Sequence, residues 1–181
     1  MRKLALALAA SALCALSAPA ISASTIETPE AKATAASAAD IARADMYTTF
    51  GDKTLKPGQY LWAKGSSEGP TRVIISLADQ MGYVYRGDEL IGVTTLSTGT
   101  DEKPTPTGIF PIQEKRTMYR SKKYDNAPMP HMQRLDQYGI ALHAGYNPGR
   151  PASHGCIRLP SAFAAKLYTM TQVGTPVLIG S

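Results

Sequence analysis

"LHAGYNPGRPASHGCIRLP", Leu142 to Pro160, decides how this chain is read. It continues an apolar run, "YGIALHA", that reads as a strand. "GYNPGRPA" follows, punctuated by Gly145, Pro148, Gly149 and Pro151, and reads as a loop. "SHGCIRL" then reads as a short extended segment. Nine residues separate His143 from Ser153, and a Gly/Pro loop of that length can fold the chain back on itself. The spacing therefore allows His143 and Cys156 to face each other across adjacent segments.

Those two side chains suit nucleophilic chemistry. A free thiol is mostly protonated at neutral pH. A neighbouring imidazole can take its proton, leave an ion pair and lower the cysteine pKa by several units. The same imidazolium can then protonate a leaving amine. Gly155 lacks a Cβ, so it permits close approach and an unusual backbone angle. The N–H groups near Gly155 and Cys156 can face a developing oxyanion. On an extended segment residues i and i+2 share a face, which puts His154 and Arg158 on the cysteine's side. A guanidinium there can hold a substrate carboxylate.

Each residue has a plainer reading. Cys156 can be a small core residue, since free cysteines are often buried. His154 is more simply a structural histidine than the base, and Arg158 can be a solvated charge. A zinc site from His143, His154 and Cys156, with His131, is a competitor, although the H-x-C spacing resembles no common structural zinc pattern.

Upstream, "TRVIISL", "MGYVYR" and "LIGVTTL" read as a hairpin or meander, with Gly87-Asp88 as a turn. That turn also accounts for the tripeptide Arg86-Gly87-Asp88. Gln59 to Ala63 reads as an edge strand, and Trp62 is expected to pack on the main domain. "STGTDEKPTPTGIFPI" is a Gly/Pro/Thr loop leading into a strand. "EKRTMYRSKKYDNAPMPHMQRLD" shows no clean period and reads as a long lid or binding loop. Downstream, Ser161 is placed to cap a helix, "SAFAAKLYTMTQ", and "PVLIG" closes the chain as a strand.

The first 23 residues read as a secretory leader. Arg2 and Lys3 precede a Leu/Ala run and a small-residue site, with cleavage after Ala20 or Ala23. Leu13 before Cys14 argues against a lipoprotein. Removing the leader lowers the net charge from +5 to +3 and leaves Cys156 as the only thiol. An unpaired thiol in an exported protein needs a reason. The mild positive charge gives no dense nucleic-acid footprint. No Gly-rich phosphate loop occurs. Residues 24–46, rich in Ala, Ser and Thr, read as a flexible tether with at most a short helix over 35–45, and 47–69 as an extension packing on the domain.

The joint pattern resembles the L,D-transpeptidase catalytic domain, the YkuD-like family. The resemblance rests on Ser153-His154-Gly155-Cys156 after a strand histidine, on "TPTGIF" from Thr105 to Phe110, and on Pro128-Met129-Pro130, in that order. It covers about residues 70–181. It implies a mostly β fold, two mixed sheets packed as a sandwich with a helix near the C-terminus. It also implies a periplasmic or cell-wall enzyme acting on peptidoglycan stem peptides without metal or cofactor. Carried onto this chain, Cys156 is the nucleophile and His143 the general base. The backbone carbonyl of Ala144 or Gly145 orients that base, and Gly155 serves the oxyanion. Arg158, Ser153, His154, Met129 and Tyr138 fall at substrate-binding positions. Carbapenems are the implied inhibitors, a lipoprotein is a possible acceptor, and a monomer is expected. Arg158 stands where some members have Asn, and the loop from His143 to Ser153 is short for the family. A non-catalytic wall-binding domain that kept the fold is the contrasting reading.

Overall fold

In the computed structural model the described residues are 26–64 and 67–181. The leader predicted for residues 1–23 lies outside them. The elements run α1 (Pro29–Phe50), β1 (Tyr60–Trp62), β2 (Thr71–Ser76), β3 (Met81–Arg86), β4 (Glu89–Thr95), β5 (Gly108–Pro111), β6 (Glu114–Arg120), β7 (Pro128–Arg134), β8 (Ala141–Ala144), β9 (Ile157–Leu159), α2 (Ser161–Met170) and β10 (Pro176–Gly180).

Two mixed sheets result, as the resemblance implies. The larger has the order β1-β4-β3-β2-β10-β5 and the smaller β6-β7-β8-β9. The β2-β3-β4 meander forms as read, with Gly87-Asp88 in its second turn. β1 is the edge strand, and Trp62 packs edge-on against Phe163 of α2 at 5.4 Å between ring centroids. The parallel pairs are β2–β10 and β8–β9. A parallel pair needs a long crossover, which residues 145–156 supply for β8–β9, while α2 leads from β9 in the smaller sheet to β10 in the larger.

The main core lies between the two sheets. Val73, Ile75, Phe110 and Val177 from the larger sheet meet Leu142, Ile157 and Leu159 from the smaller, with Phe163 and Leu167 of α2. Burying each large side chain contributes about 1.5–3 kcal/mol. A second cluster covers the other face of the larger sheet. There Ala39, Ala42 and Met46 of α1 pack on Ile74, Tyr83, Tyr85 and Val93. A sheet covered on both faces reads as a continuous apolar run, which is why "VIIS" and "YVY" do not alternate in burial.

Three sequence expectations need correction. Residues 29–50 form a 22-residue helix in place of a flexible tether. Ala31, Ala35, Ala39, Ala42 and Met46 recur at helical spacing and are buried. Thr28 caps the start by accepting from the Ala31 N–H, and Gly51, at φ +75°, ends it by donating to Tyr47 O. The composition looked like a tether because the buried stripe is alanine. Small residues there let the helix approach closely: a Cβ on Gly180 would stand 2.6 Å from Ala35 O. Second, the stretch 114–136, expected as a long loop, forms the β6–β7 hairpin, paired from Glu114↔Arg134 to Arg120↔Pro128. Its charged edge strand hid the period. Third, Pro160 holds the cap position of α2 with no side-chain cap, and Ser161 is the first helical residue.

Candidate active site

The register of β8 on β9 builds the site. Leu142 pairs with Ile157, His143 with Arg158 and Ala144 with Leu159. Directly paired residues share a face, and successive residues alternate. Leu142, Ala144, Ile157 and Leu159 therefore turn into the core, where all four are buried. His143, Arg158 and Cys156 take the opposite face and line one cavity of about 840 Å³. Met129 packs beside Cys156, with Met132, Ala141 and Tyr119.

His143 is buried, and its Nδ1 lies 2.8 Å from Ala144 O. A carbonyl only accepts, so Nδ1 carries the proton and Nε2 keeps its lone pair. Burial holds the imidazole below its ordinary pKa; the Ala144 carbonyl opposes this and the Arg158 charge adds to it. Burial pushes the Cys156 thiol up, against the pull of an Ala141 backbone hydrogen bond; Asp136 adds to the rise and Arg158 opposes it. Neither shift favours the ion pair expected from the sequence. Desolvation moves both groups toward their neutral forms. Cys156 Sγ instead reaches toward Gly139 O at 3.5 Å.

The loop presenting that carbonyl is built by a residue the sequence reading missed. Asp136 is buried, and its Oδ1 accepts from the N–H groups of Tyr138, Gly139 and Ile140 at 2.8–2.9 Å. An aspartate ahead of Tyr138-Gly139 was the available signal, since Asp organises turns through its own backbone.

The S-H-G-C segment is held from within. Ser153 Oγ donates to Cys156 O and accepts the Gly155 N–H. Ser153 is buried and both bonds are internal, so it shapes the turn where substrate contact was expected. The Gly155 N–H is committed too, which removes it as the expected oxyanion donor. Gly155 matters by conformation: its φ is +108°, and a Cβ would come 2.5 Å from Ile140 Cδ1. His154 is exposed and stacks on Tyr124 from the β6–β7 turn, with centroids 4.3 Å apart. Tyr138 is exposed at the cavity rim.

The remaining histidine of the zinc alternative is elsewhere. His131 packs against the Tyr168 ring. Among the described residues no three His, Cys, Asp or Glu side chains gather to hold a metal ion.

Residues 70–179 match the L,D-transpeptidase catalytic domain, YkuD. The chain belongs to this family. Solved structures agree in fold. An L,D-transpeptidase from Mycobacterium smegmatis aligns with TM-score 0.57 and 22% identity over 61% of this chain and 58% of its own. A Cys-to-Ser mutant of an Enterococcus faecium L,D-transpeptidase aligns with TM-score 0.53 and 24% identity, over 62% of this chain and 50% of its own. L,D-transpeptidase 3 from Mycobacterium tuberculosis, in complex with a faropenem-derived adduct, aligns with TM-score 0.56 and 20% identity, over 62% and 60%. This L,D-transpeptidase domain thus spans about half to three-fifths of those chains. No curated protein matches the chain at a significant level.

Proposed function

We propose that the chain is an exported L,D-transpeptidase working in the periplasm or cell wall, with Cys156 as nucleophile. The observation that carries this reading is the single cavity-facing side of β8 and β9. It collects a thiol, an imidazole with its acceptor nitrogen free, and a guanidinium. The acyl donor is a peptidoglycan tetrapeptide stem.

In the proposed reaction His143 Nε2 takes the Cys156 proton as sulfur attacks the carbonyl of the third residue. The C–S bond forms and the carbonyl electrons move to oxygen. The oxyanion then collapses, breaking the bond to the terminal D-alanine, whose amine takes the proton back from His143. A thioester remains. The amine of a second stem attacks it, giving a 3→3 crosslink and restoring the thiol. Proton transfer concerted with attack suits two groups whose burial disfavours their charged forms.

The cavity's charge supports a carboxylate-rich substrate. Lys122, Lys123 and Arg158 line it, whereas its acid Glu114 is already paired with Arg116 and Arg134. Arg158 has no carboxylate partner among the described residues. Met129 forms an apolar wall against which the stem's side chain can lie. β-Lactams of the penem class offer a strained carbonyl to Cys156, and the M. tuberculosis relative is in complex with a faropenem-derived adduct.

The test is product analysis. The mature protein is incubated with purified disaccharide-tetrapeptide, and the products are identified by mass. A crosslinked dimer with released D-alanine is expected, and Cys156→Ala should give none. Tripeptide alone would assign water as the acceptor, and exchange of the terminal residue would assign a free D-amino acid. Transfer to a lysine needs a lipoprotein substrate. Bound but unchanged tetrapeptide would overturn the enzyme reading in favour of a wall-binding domain.

A further inference from the structure

The "TPTG" stretch, Thr105 to Gly108, has so far no part in the chemistry, yet Thr105 touches the nucleophile's own peptide. Its side chain is buried behind the S-H-G-C segment, apart from the cavity wall. Thr105 Oγ1 donates to Gly155 O at 2.8 Å and accepts the Gly99 N–H at 2.9 Å. An amide N–H only donates, so the single hydroxyl proton is directed to Gly155 O.

That carbonyl shares a peptide unit with the Cys156 N–H. In a trans peptide the C=O and the N–H point in opposite directions, and no cis peptide occurs among the described residues. Drawing Gly155 O toward buried Thr105 turns the Cys156 N–H away from it. The neighbouring amide of Gly155 is tied to Ser153 Oγ, and so is the Cys156 carbonyl. The loop from Gly99 to Thr105 is seated tightly: a Cβ on Gly99 would stand 2.1 Å from Lys103 O and 2.9 Å from Gly155 Cα.

We propose that Thr105 is a positioning residue that aims the Cys156 amide at the oxyanion formed on acylation. The assignment rests on Cys156 being the acylated nucleophile. With the Gly155 N–H engaged by Ser153 Oγ, the Cys156 N–H is the one of the two expected donors left for the oxyanion.

Two reactions of the same thiol separate this role from a merely structural one. Acylation by a carbapenem such as imipenem forms a C–S bond, opens the lactam C–N bond and moves the thiol proton to the ring nitrogen. It passes through an oxyanion. Iodoacetamide alkylation displaces iodide from a saturated carbon and raises no oxyanion. Both rates are measured on wild type, Thr105→Val and Thr105→Ser, with folding checked by thermal melting.

Thr105→Val should slow acylation about 100-fold, the scale of one lost oxyanion donor, while alkylation changes less than about 3-fold. Thr105→Ser keeps the hydroxyl and should restore acylation. Thr105→Ala provides the same comparison if the valine variant does not fold. Parallel loss of both rates would reduce Thr105 to a structural residue, and unchanged acylation would overturn the assignment outright. Wild-type protein that alkylates at Cys156 but is never acylated would instead remove the acyl-transfer reading, and this one with it.

Discussion

The two sheets differ in how many faces they cover. The six-stranded sheet is closed on one side by α1 and on the other by the smaller sheet and α2. The four-stranded sheet buries Leu142, Ile157 and Leu159 on one face and leaves His143, Cys156 and Arg158 on a cavity wall. A doubly covered sheet has no room for chemistry, but it makes a rigid base. The half-covered sheet inherits that rigidity through its core face and keeps the other face for a substrate. Segment 97–99 binds the two together. Ser97 exchanges backbone hydrogen bonds with Arg158 at 2.9 and 3.1 Å, and Ser153 donates to Thr98 O.

The hardest test of the open face is His143→Gln. Glutamine keeps a donor for Ala144 O and loses the proton acceptor. Acylation of Cys156 should fall by about 10²- to 10⁴-fold. The wild-type pH profile sharpens this. Burial lowers the His143 pKa from its ordinary 6.5, so the neutral, accepting form persists below that value. The acid limb of the acylation rate should therefore lie below pH 6.5 and vanish in the variant. A limb above 6.5 would mean that the imidazole is not desolvated as the open face requires.

Much of the site was legible because it is local in sequence. A strand histidine, a Gly/Pro loop and S-H-G-C are one short stretch, and alternation along β9 placed Arg158 beside Cys156. What the sequence hid is long-range. Nothing near Ser153 announces that its hydroxyl is spent within the turn, or that Thr105 reaches Gly155 across fifty residues. The burial that disfavours charge on the thiol and the imidazole was hidden as well, since burial is a property of the assembled fold. The length of α1 was missed, only 35–45 having been read as a short helix, because alanine carries a weak hydrophobic signal even though Ala31, Ala35, Ala39 and Ala42 keep helical spacing. The β6–β7 hairpin was missed for the opposite reason: an edge strand full of charge has little to alternate.

The covered sheet has its own test in Gly180→Ala. The added Cβ would meet Ala35 O at 2.6 Å and Ala36 Cα at 2.8 Å, both backbone atoms of α1. The helix must lift from the sheet, and overpacking of this kind costs about 1–3 kcal/mol. Thermal unfolding should register the loss as a drop of several degrees. Acylation per folded molecule should stay as in wild type, because α1 lies on the face away from the cavity. An unchanged melting temperature would show that α1 is only a loose cover, and the contrast between the sheets would weaken.

The smallest effect expected is at the mouth of the cavity. The β6–β7 turn reaches the S-H-G-C segment through Tyr124 stacked on His154, and reaches the 136–140 loop through Lys123 Nζ on Tyr138 O at 3.0 Å. These contacts tie a charged hairpin to the two segments that frame Cys156. A stacked ring pair contributes about 0.5–1.5 kcal/mol, so Tyr124→Ala should release the hairpin without unfolding the sheet. The apparent KM for the tetrapeptide should rise about 2- to 10-fold with kcat nearly constant, because a wall that must be ordered on binding subtracts from affinity. A fall in kcat with KM unchanged would place the hairpin's influence on the Cys156 motif itself. The open face would then depend on its lid for geometry as well as for closure.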